Sequence, residues 1–166
     1  SVKASDVIEE FGSKIKYTLN GGKCKIGVES TIINLLSKPV ILRLGGLDVS
    51  KVEKVLKKKI SIKTNFRKKI APGLFDLHYS PGIPLRTNVK NPKKNEAFVL
   101  IKKRKNNFKN YYYLSKKNDL NQSAKNLYSL LRKIKKDGYK MIAVEKIRNK
   151  GLGKTINDRL NRASKY

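Results

Sequence analysis

A mixed α/β chain in two blocks joined by a proline-rich linker is the fold class that this sequence predicts. Three observations carry it. Short β-branched runs alternate with apolar residues at helical spacing, prolines and glycines gather between residues 65 and 94, and the C-terminal block repeats a β-α-β-α order that builds a small parallel sheet. The 166 residues, 39% hydrophobic and 31% charged, supply enough apolar material for a core and suit one domain or two small ones.

The chain opens at Ser1, with no initiator methionine, directly into a helix-like stretch whose Val7, Ile8 and Phe11 share one face; it is expected to be a piece of something longer. Asn20-Gly21-Gly22 signals a turn. Lys25-Ile26-Gly27-Val28, Thr31-Ile32-Ile33-Asn34-Leu35 and Val40-Ile41-Leu42-Arg43 then read as short strands, and Gly45-Gly46 ends the series. Asp48 is placed to cap a helix carrying Val49, Val52 and Leu56 on one face, and Ile60-Ser61-Ile62-Lys63-Thr64 alternates like a closing strand. Pro72, Gly73, Pro81, Gly82, Pro84 and Pro92 interrupt regular structure, and a connector of that length either joins domains or lies across a functional site. Beyond it, residues 97–101 and 111–114 read as strands, and Leu120, Ala124, Leu127, Leu131 and Ile134 form a helical stripe stopped by Gly138. Residues 139–144 read as another strand, and Leu152, Ile156, Leu160 and Ala163 mark a last helix.

Several function classes are excluded. No apolar run approaches the roughly 18 residues of a membrane helix, and the N-terminus lacks the charged-then-apolar shape of a signal peptide, so a cytosolic protein without membrane partners is expected. One cysteine, Cys24, closes no internal disulfide, and Cys24 with the single His78 falls short of the ligands of a zinc site, so no metal ligand is assigned. Gly151-Leu152-Gly153-Lys154-Thr155 suggests a phosphate loop, but Arg148 stands where that loop needs its first glycine; these glycines read as shaping a turn into the last helix. His78, alone in the linker, has no triad partner, and no catalytic residue is assigned.

The formal charge of +28 and a pI near 10.3 have two readings. Clustered cations that displace counterions from phosphates mark a nucleic-acid binder. Equally, lysine, asparagine and isoleucine are what AT-rich codons encode, and the cations spread along the whole chain. Either way a diffuse positive field steers anions such as ATP or tRNA. Phe108, Tyr111, Tyr112 and Tyr113 among lysines would suit base stacking, so a basic RNA-binding module without catalysis is the alternative reading.

Arg43 ends an apolar strand beside the Gly45-Gly46 turn, where backbone can approach a ligand and a guanidinium fork suits a phosphate or carboxylate. Together with Glu29-Ser30-Thr31 it belongs to a larger pattern. The run Asn20-Gly21-Gly22 to Gly27-Val28-Glu29-Ser30-Thr31-Ile32-Ile33, the segment Leu42-Arg43-Leu44-Gly45-Gly46, and Ala71-Pro72-Gly73 followed by His78-Tyr79-Ser80-Pro81 resemble the ordered motifs of YrdC-like threonylcarbamoyl-adenylate synthases. A fourth stretch, Gly151-Leu152-Gly153 with Ile156-Asn157-Asp158-Arg159-Leu160-Asn161-Arg162-Ala163, is similar to the end of the extra C-terminal domain of the family's long form. Departures are Val2-Lys3 for Pro-Thr, Asn20 for aspartate, Leu44 for proline and Leu74 for methionine; the family's Lys-x-Arg and Ser-Ala-Asn motifs would precede Ser1.

The resemblance implies a fold in three parts. Residues 1–65 would be the C-terminal part of a twisted YrdC-like α/β domain, 66–96 a linker folded over the active site, and 97–166 a small Rossmann-like α/β domain with a mostly parallel sheet. It also implies an adenylyl transfer in which L-threonine and bicarbonate or carbon dioxide form a carbamate that attacks the α-phosphate of ATP, releasing pyrophosphate. ATP is a substrate, Mg2+ is expected with it, and the product passes to a tRNA threonylcarbamoyl-transferase complex. On the same basis Ser30 would contact threonine, Ser1, Arg43 and Tyr79 would contact ATP, and Thr31 and His78 would support them. A hydroxyl, a cation and a water-excluding lid suit that chemistry.

Overall fold

A computed structural model describes residues 1–63, 72 and 79–165. The N-terminal block begins with α1 (Ala4–Phe11) and continues through β1 (Ile32–Asn34), β2 (Val40–Arg43), α2 (Val49–Leu56) and β3 (Ser61–Ile62). Strand β2 is central, antiparallel to β1 and parallel to β3. Its Ile41 and the neighbouring Leu44 pack with Val49 and Ile60, and α2 adds Val52 and Leu56, the stripe expected from its spacing. Asp48 caps α2 as its position predicts, accepting a hydrogen bond from the Ser50 amide at 3.0 Å.

Two details of the sequence reading are corrected here. Residues 25–28 form no strand: Gly27 has φ +81°, outside extended geometry, because the chain turns there to lie against α3. Conversely Leu85–Arg86 form β4 inside the stretch read as an unbroken linker. A two-residue strand just after Pro84 is too short for side-chain alternation to reveal.

The C-terminal block contains β4, β5 (Ala97–Leu100), β6 (Tyr111–Tyr113), α3 (Leu120–Lys136), β7 (Ile142–Val144) and α4 (Leu152–Ala163). The sheet runs β4-β7-β5-β6 and every described pairing in it is parallel. Period-2 alternation divides its residues between two faces. Ala97, Val99, Ile142 and Val144 meet Leu127, Leu131 and Ile134 of α3 and Ile156 and Leu160 of α4 in the main core. Phe98, Leu100 and Ala143 point the other way and cluster with Val89, Tyr111 and Tyr113, an apolar group that includes no helical residue among the described residues. Residues 101–110 join the adjacent parallel strands β5 and β6 without the usual crossover helix. Asp119 caps α3 through the Asn121 and Gln122 amides, at 2.7 and 3.2 Å. Among the described residues no helix is long and apolar enough to cross a membrane.

The two blocks share a seam. Arg132 of α3 pairs with Asp6 and Glu10 of α1 at 3.2 and 3.1 Å, and Lys136 pairs with Glu9 at 2.9 Å. The backbone of Gly27 lies so close to α3 that a Cβ there would stand 2.5 Å from the Lys125 Cα. A side chain at position 27 would therefore meet both left-handed strain and rigid backbone, whereas one at Gly21 meets open space. Thermal unfolding of Gly27→Ala should show a loss of about 2–4 kcal/mol, and Gly21→Ala a change within about 0.5 kcal/mol. Equal effects of the two substitutions would contradict this account of the seam.

Candidate functional site

Strand β2 delivers Arg43 to the edge of the seam, opposite Ile32 of β1. The guanidinium is buried, and its fork is oriented by three hydrogen bonds. Nε donates to the Ser30 carbonyl, Nη2 to the Ser30 hydroxyl and Nη1 to the Pro72 carbonyl, each at 3.1 Å. The β1 and β2 ends approach this tightly because residue 45 is glycine: a Cβ there would lie 2.3 Å from the Ser30 carbonyl carbon and the Thr31 nitrogen. The Gly46 amide donates to the Glu29 carbonyl at 2.8 Å, and the Thr31 hydroxyl donates to the Leu47 carbonyl at 2.9 Å. Thr31 thus fastens the turn that carries Ser30.

Tyr79 sits beside this pair in a backbone conformation unusual for a bulky side chain, φ +72°. Its ring stacks on Tyr128 of α3 with centroids 5.4 Å apart and planes 15° from parallel, and the Arg159 guanidinium lies 4.8 Å from its centre. Arg159 projects from α4 and is 1% exposed. Its Nε meets Glu29 Oε2 at 3.2 Å, its Nη2 donates to the Leu44 carbonyl at 2.6 Å, and its Nη1 pairs with Asp158. The Tyr128 hydroxyl donates to Glu29 Oε2 at 3.3 Å.

The ionisation of this cluster follows from its partners. Burial opposes the charged form of Glu29, but the Arg159 cation and the Tyr79 hydroxyl outweigh it and hold the carboxyl below its ordinary range. Burial likewise opposes the Arg159 charge, and the carboxylates of Glu29 and Asp158 restore it. Burial, reinforced by Glu29, pushes both the Tyr79 and Tyr128 phenols well above their usual value. Tyr79, Tyr128, Glu29 and Arg159 thus form a neutral-phenol, ion-paired knot at neutral pH.

A cavity of about 950 Å³ opens along the seam, lined by Ser1, Gly27, Glu29, Tyr79 and Tyr128 on one side. That is the size range of nucleotide and cofactor clefts. Its other walls carry the paired Glu9–Lys136 and Glu10–Arg132, and Ser1 Oγ donates to Glu10 Oε2 at 2.7 Å. Ser30 and Arg43 are thus in direct contact with each other but do not line the cavity; Tyr79 is held beside Glu29, the residue preceding Ser30, and Ser1 and Glu29 share the cavity with Tyr79. His78 lies outside the described residues. Sequence reasoning did not assign Glu29, Tyr128 or Arg159 to the site. One signal pointed to Arg159: it falls three residues after Ile156 and four before Ala163, on the apolar stripe of α4 where a cation needs a buried partner.

Comparison with known proteins follows the same division of the chain. A family model described as "Threonylcarbamoyl-AMP synthase, C-terminal domain" matches residues 47–165, and one described as "Telomere recombination", the Sua5/YciO/YrdC family, matches residues 1–45. The chain is 32% identical to the threonylcarbamoyl-AMP synthase of Pyrococcus abyssi, the match covering 98% of this chain and 53% of that protein. It is 28% identical to the enzyme of the same name from Schizosaccharomyces pombe, over 97% of this chain and 48% of that one. The crystal structure of P. abyssi Sua5 complexed with L-threonine superposes with a TM-score of 0.83 at 30% identity, covering 98% of this chain and 53% of that chain. The chain thus spans about half the length of the curated relatives it matches. With the synthase model alone matching more than half of its 166 residues, the chain belongs to the Sua5/YrdC family of threonylcarbamoyl-AMP synthases.

Proposed function

We propose that this chain forms one side of the substrate site of a threonylcarbamoyl-AMP synthase, which joins L-threonine, bicarbonate or carbon dioxide, and ATP into threonylcarbamoyl-adenylate and pyrophosphate. The observation that carries the reading is the contact of Arg43 with Ser30, whose neighbour Glu29 lines an adenylate-sized cavity together with Tyr79. Support also comes from the archaeal relative whose crystal structure contains L-threonine. A second structure of that relative carries alanine in place of an adjacent histidine and tyrosine; the pair His78-Tyr79 is the one such dipeptide in this sequence.

In this reading the Ser30 hydroxyl, oriented by Arg43, hydrogen-bonds the threonine end of the substrate. The N–H groups of Arg43 not engaged by Ser30 and Pro72 face the anion, where they stabilise charge developing on the transferring phosphoryl group. Tyr79 covers the nucleotide and excludes water from a carbamate that hydrolyses readily. Ser1 lines the ATP pocket, with Thr31 and His78 supporting. Magnesium would ride on the triphosphate: the described residues gather no three-membered carboxylate, histidine or cysteine group for a metal, so phosphate oxygens and water would supply most of its ligands. Residues 1–65 complete a catalytic domain and 66–96 form the covering linker, whose β4 joins the sheet of the C-terminal domain at 97–166. Leu19, Leu36 and Val55, more than four-fifths exposed, support an N-terminal block that needs further chain to cover it. The product passes to the complex that modifies tRNA in the cytoplasm.

In the complete protein, pyrophosphate should appear only when threonine and bicarbonate are both present. Arg43→Ala should lower kcat by about 100-fold or more, the scale for losing a transition-state donor. Ser30→Ala should raise the threonine KM by up to about tenfold, the scale of one hydrogen bond. Full activity of Arg43→Ala in a coupled pyrophosphate assay would remove the nucleotide from this position.

A specific observation also favours RNA contact. Lys102, Lys103, Arg104, Lys105, Phe108 and Lys109 all lie exposed on the loop that replaces a crossover helix, over the helix-free face of the C-terminal sheet. Single-stranded RNA would track these cations and stack on Phe108, whose ring meets Tyr111 edge-on at 5.1 Å. Fluorescence anisotropy should give an affinity that falls steeply with salt and drops about 5- to 100-fold with Phe108→Ala. A Phe108→Ala protein with unchanged affinity would leave only a diffuse charge effect.

A further inference from the structure

The Glu29–Arg159–Tyr128 knot has no assigned role in substrate binding, yet one buried guanidinium in it reaches Tyr79 and the chain neighbours of Ser30 and Arg43. Arg159 holds Glu29, which precedes Ser30; it holds the carbonyl of Leu44, which follows Arg43; and it lies against the ring of Tyr79. α4 is further pinned to that segment by Thr155, whose hydroxyl donates to the Gly45 carbonyl at 2.9 Å. Resting on the synthase reading above, we infer that Arg159 of the C-terminal domain is a positioning residue that fixes the covering tyrosine, Tyr79, over the substrate cavity, with Tyr128 as its second jaw.

Geometry and energetics both point this way. Tyr79 is gripped from two sides, by the Tyr128 ring and by the Arg159 guanidinium, while its hydroxyl faces Glu29. Its left-handed backbone is a costly conformation for a tyrosine and persists only where surroundings over-determine it. A buried ion pair is a poor source of stability, since packed apolar residues of similar volume do as well or better. What a buried fork with directed N–H groups supplies instead is a fixed orientation for three backbone-distant partners. Arg159 contacts no position proposed to bear the reacting atoms, and of its three partners only Tyr79 is itself placed at the nucleotide, so its effect on the ATP KM runs through Tyr79.

The test uses the complete protein and the ATP KM in the threonine-dependent pyrophosphate assay. Removing one jaw forfeits a cation–π or stacking contact, so Arg159→Met should raise the ATP KM about tenfold. Tyr79→Ala should raise it at least as much. The distinguishing readout is the double variant: if Arg159 acts through Tyr79, Arg159→Met adds less than about twofold once Tyr79 is alanine. A general structural role would multiply the two losses. Should Arg159→Met fail to fold, Tyr128→Ala replaces it in the same cycle with the same expectation. An active wild-type enzyme with an unchanged ATP KM in these variants, or with multiplying losses, overturns the positioning role alone. A wild-type enzyme with no threonine-dependent release overturns the synthase reading and this inference together.

Discussion

A cation held out of water must be matched on every side, and at Arg159 that requirement organises the molecule. Glu29 supplies the countercharge, Leu44 a carbonyl, and Tyr79 a π-face, and these come from three separate stretches of chain. None of them can shift without leaving part of the guanidinium unsatisfied. The loop before β1, the turn after β2 and the segment before β4 are thereby held at one point on α4, although among the described residues no continuous sheet joins them.

That convergence depends in turn on missing side chains. Gly27 lets the chain press against the backbone of α3, and Gly45 lets the turn after β2 lie directly under Ser30. With any Cβ at position 45, Arg43 and Ser30 would be pushed apart, and the fork would lose its two bonds to residue 30. The motif glycines are therefore spacing devices. The polar residues between them act at fixed distance because backbone, not side chain, sets that distance.

Much of this was legible before any coordinates. The Asp48 cap of α2, the stop of α3 before Gly138, and the apolar stripes of α2, of α3 from Leu120 to Ile134 and of α4 from Leu152 to Ala163 were legible, since helical periodicity is a local property. The parallel C-terminal sheet followed from strand and helix order. The positive φ at Gly27, which removes residues 25–28 from the strands, did not follow, because tertiary contact with Lys125 dictates it. β4 escaped notice because two residues carry no period. In the candidate site, Ser30, Arg43 and Tyr79 were named by motif, but the partners that orient them are remote in sequence. Glu29 and Arg159 are 130 residues apart, and only α4's apolar stripe hinted that an arginine was buried there.

On the proposed reading, in which Tyr79 covers the nucleotide, the strength of the grip on it suits a cover that must also open. Stacking and cation–π contacts are each worth about 0.5–2 kcal/mol, so the two jaws together bias a closed arrangement over an open one by roughly 5- to 1000-fold. A stronger clamp would trap the adenylate, and a weaker one would admit water to the carbamate during most of the bound lifetime. On the proposed reading the knot therefore divides its labour. The ion pair and the Leu44 contact are permanent, fixing where closure occurs, and the ring contacts are the reversible part. Placing the permanent half on α4 gives the C-terminal domain a mechanical reason to be there: it supplies the fixed wall against which the linker closes, without contributing a reacting group.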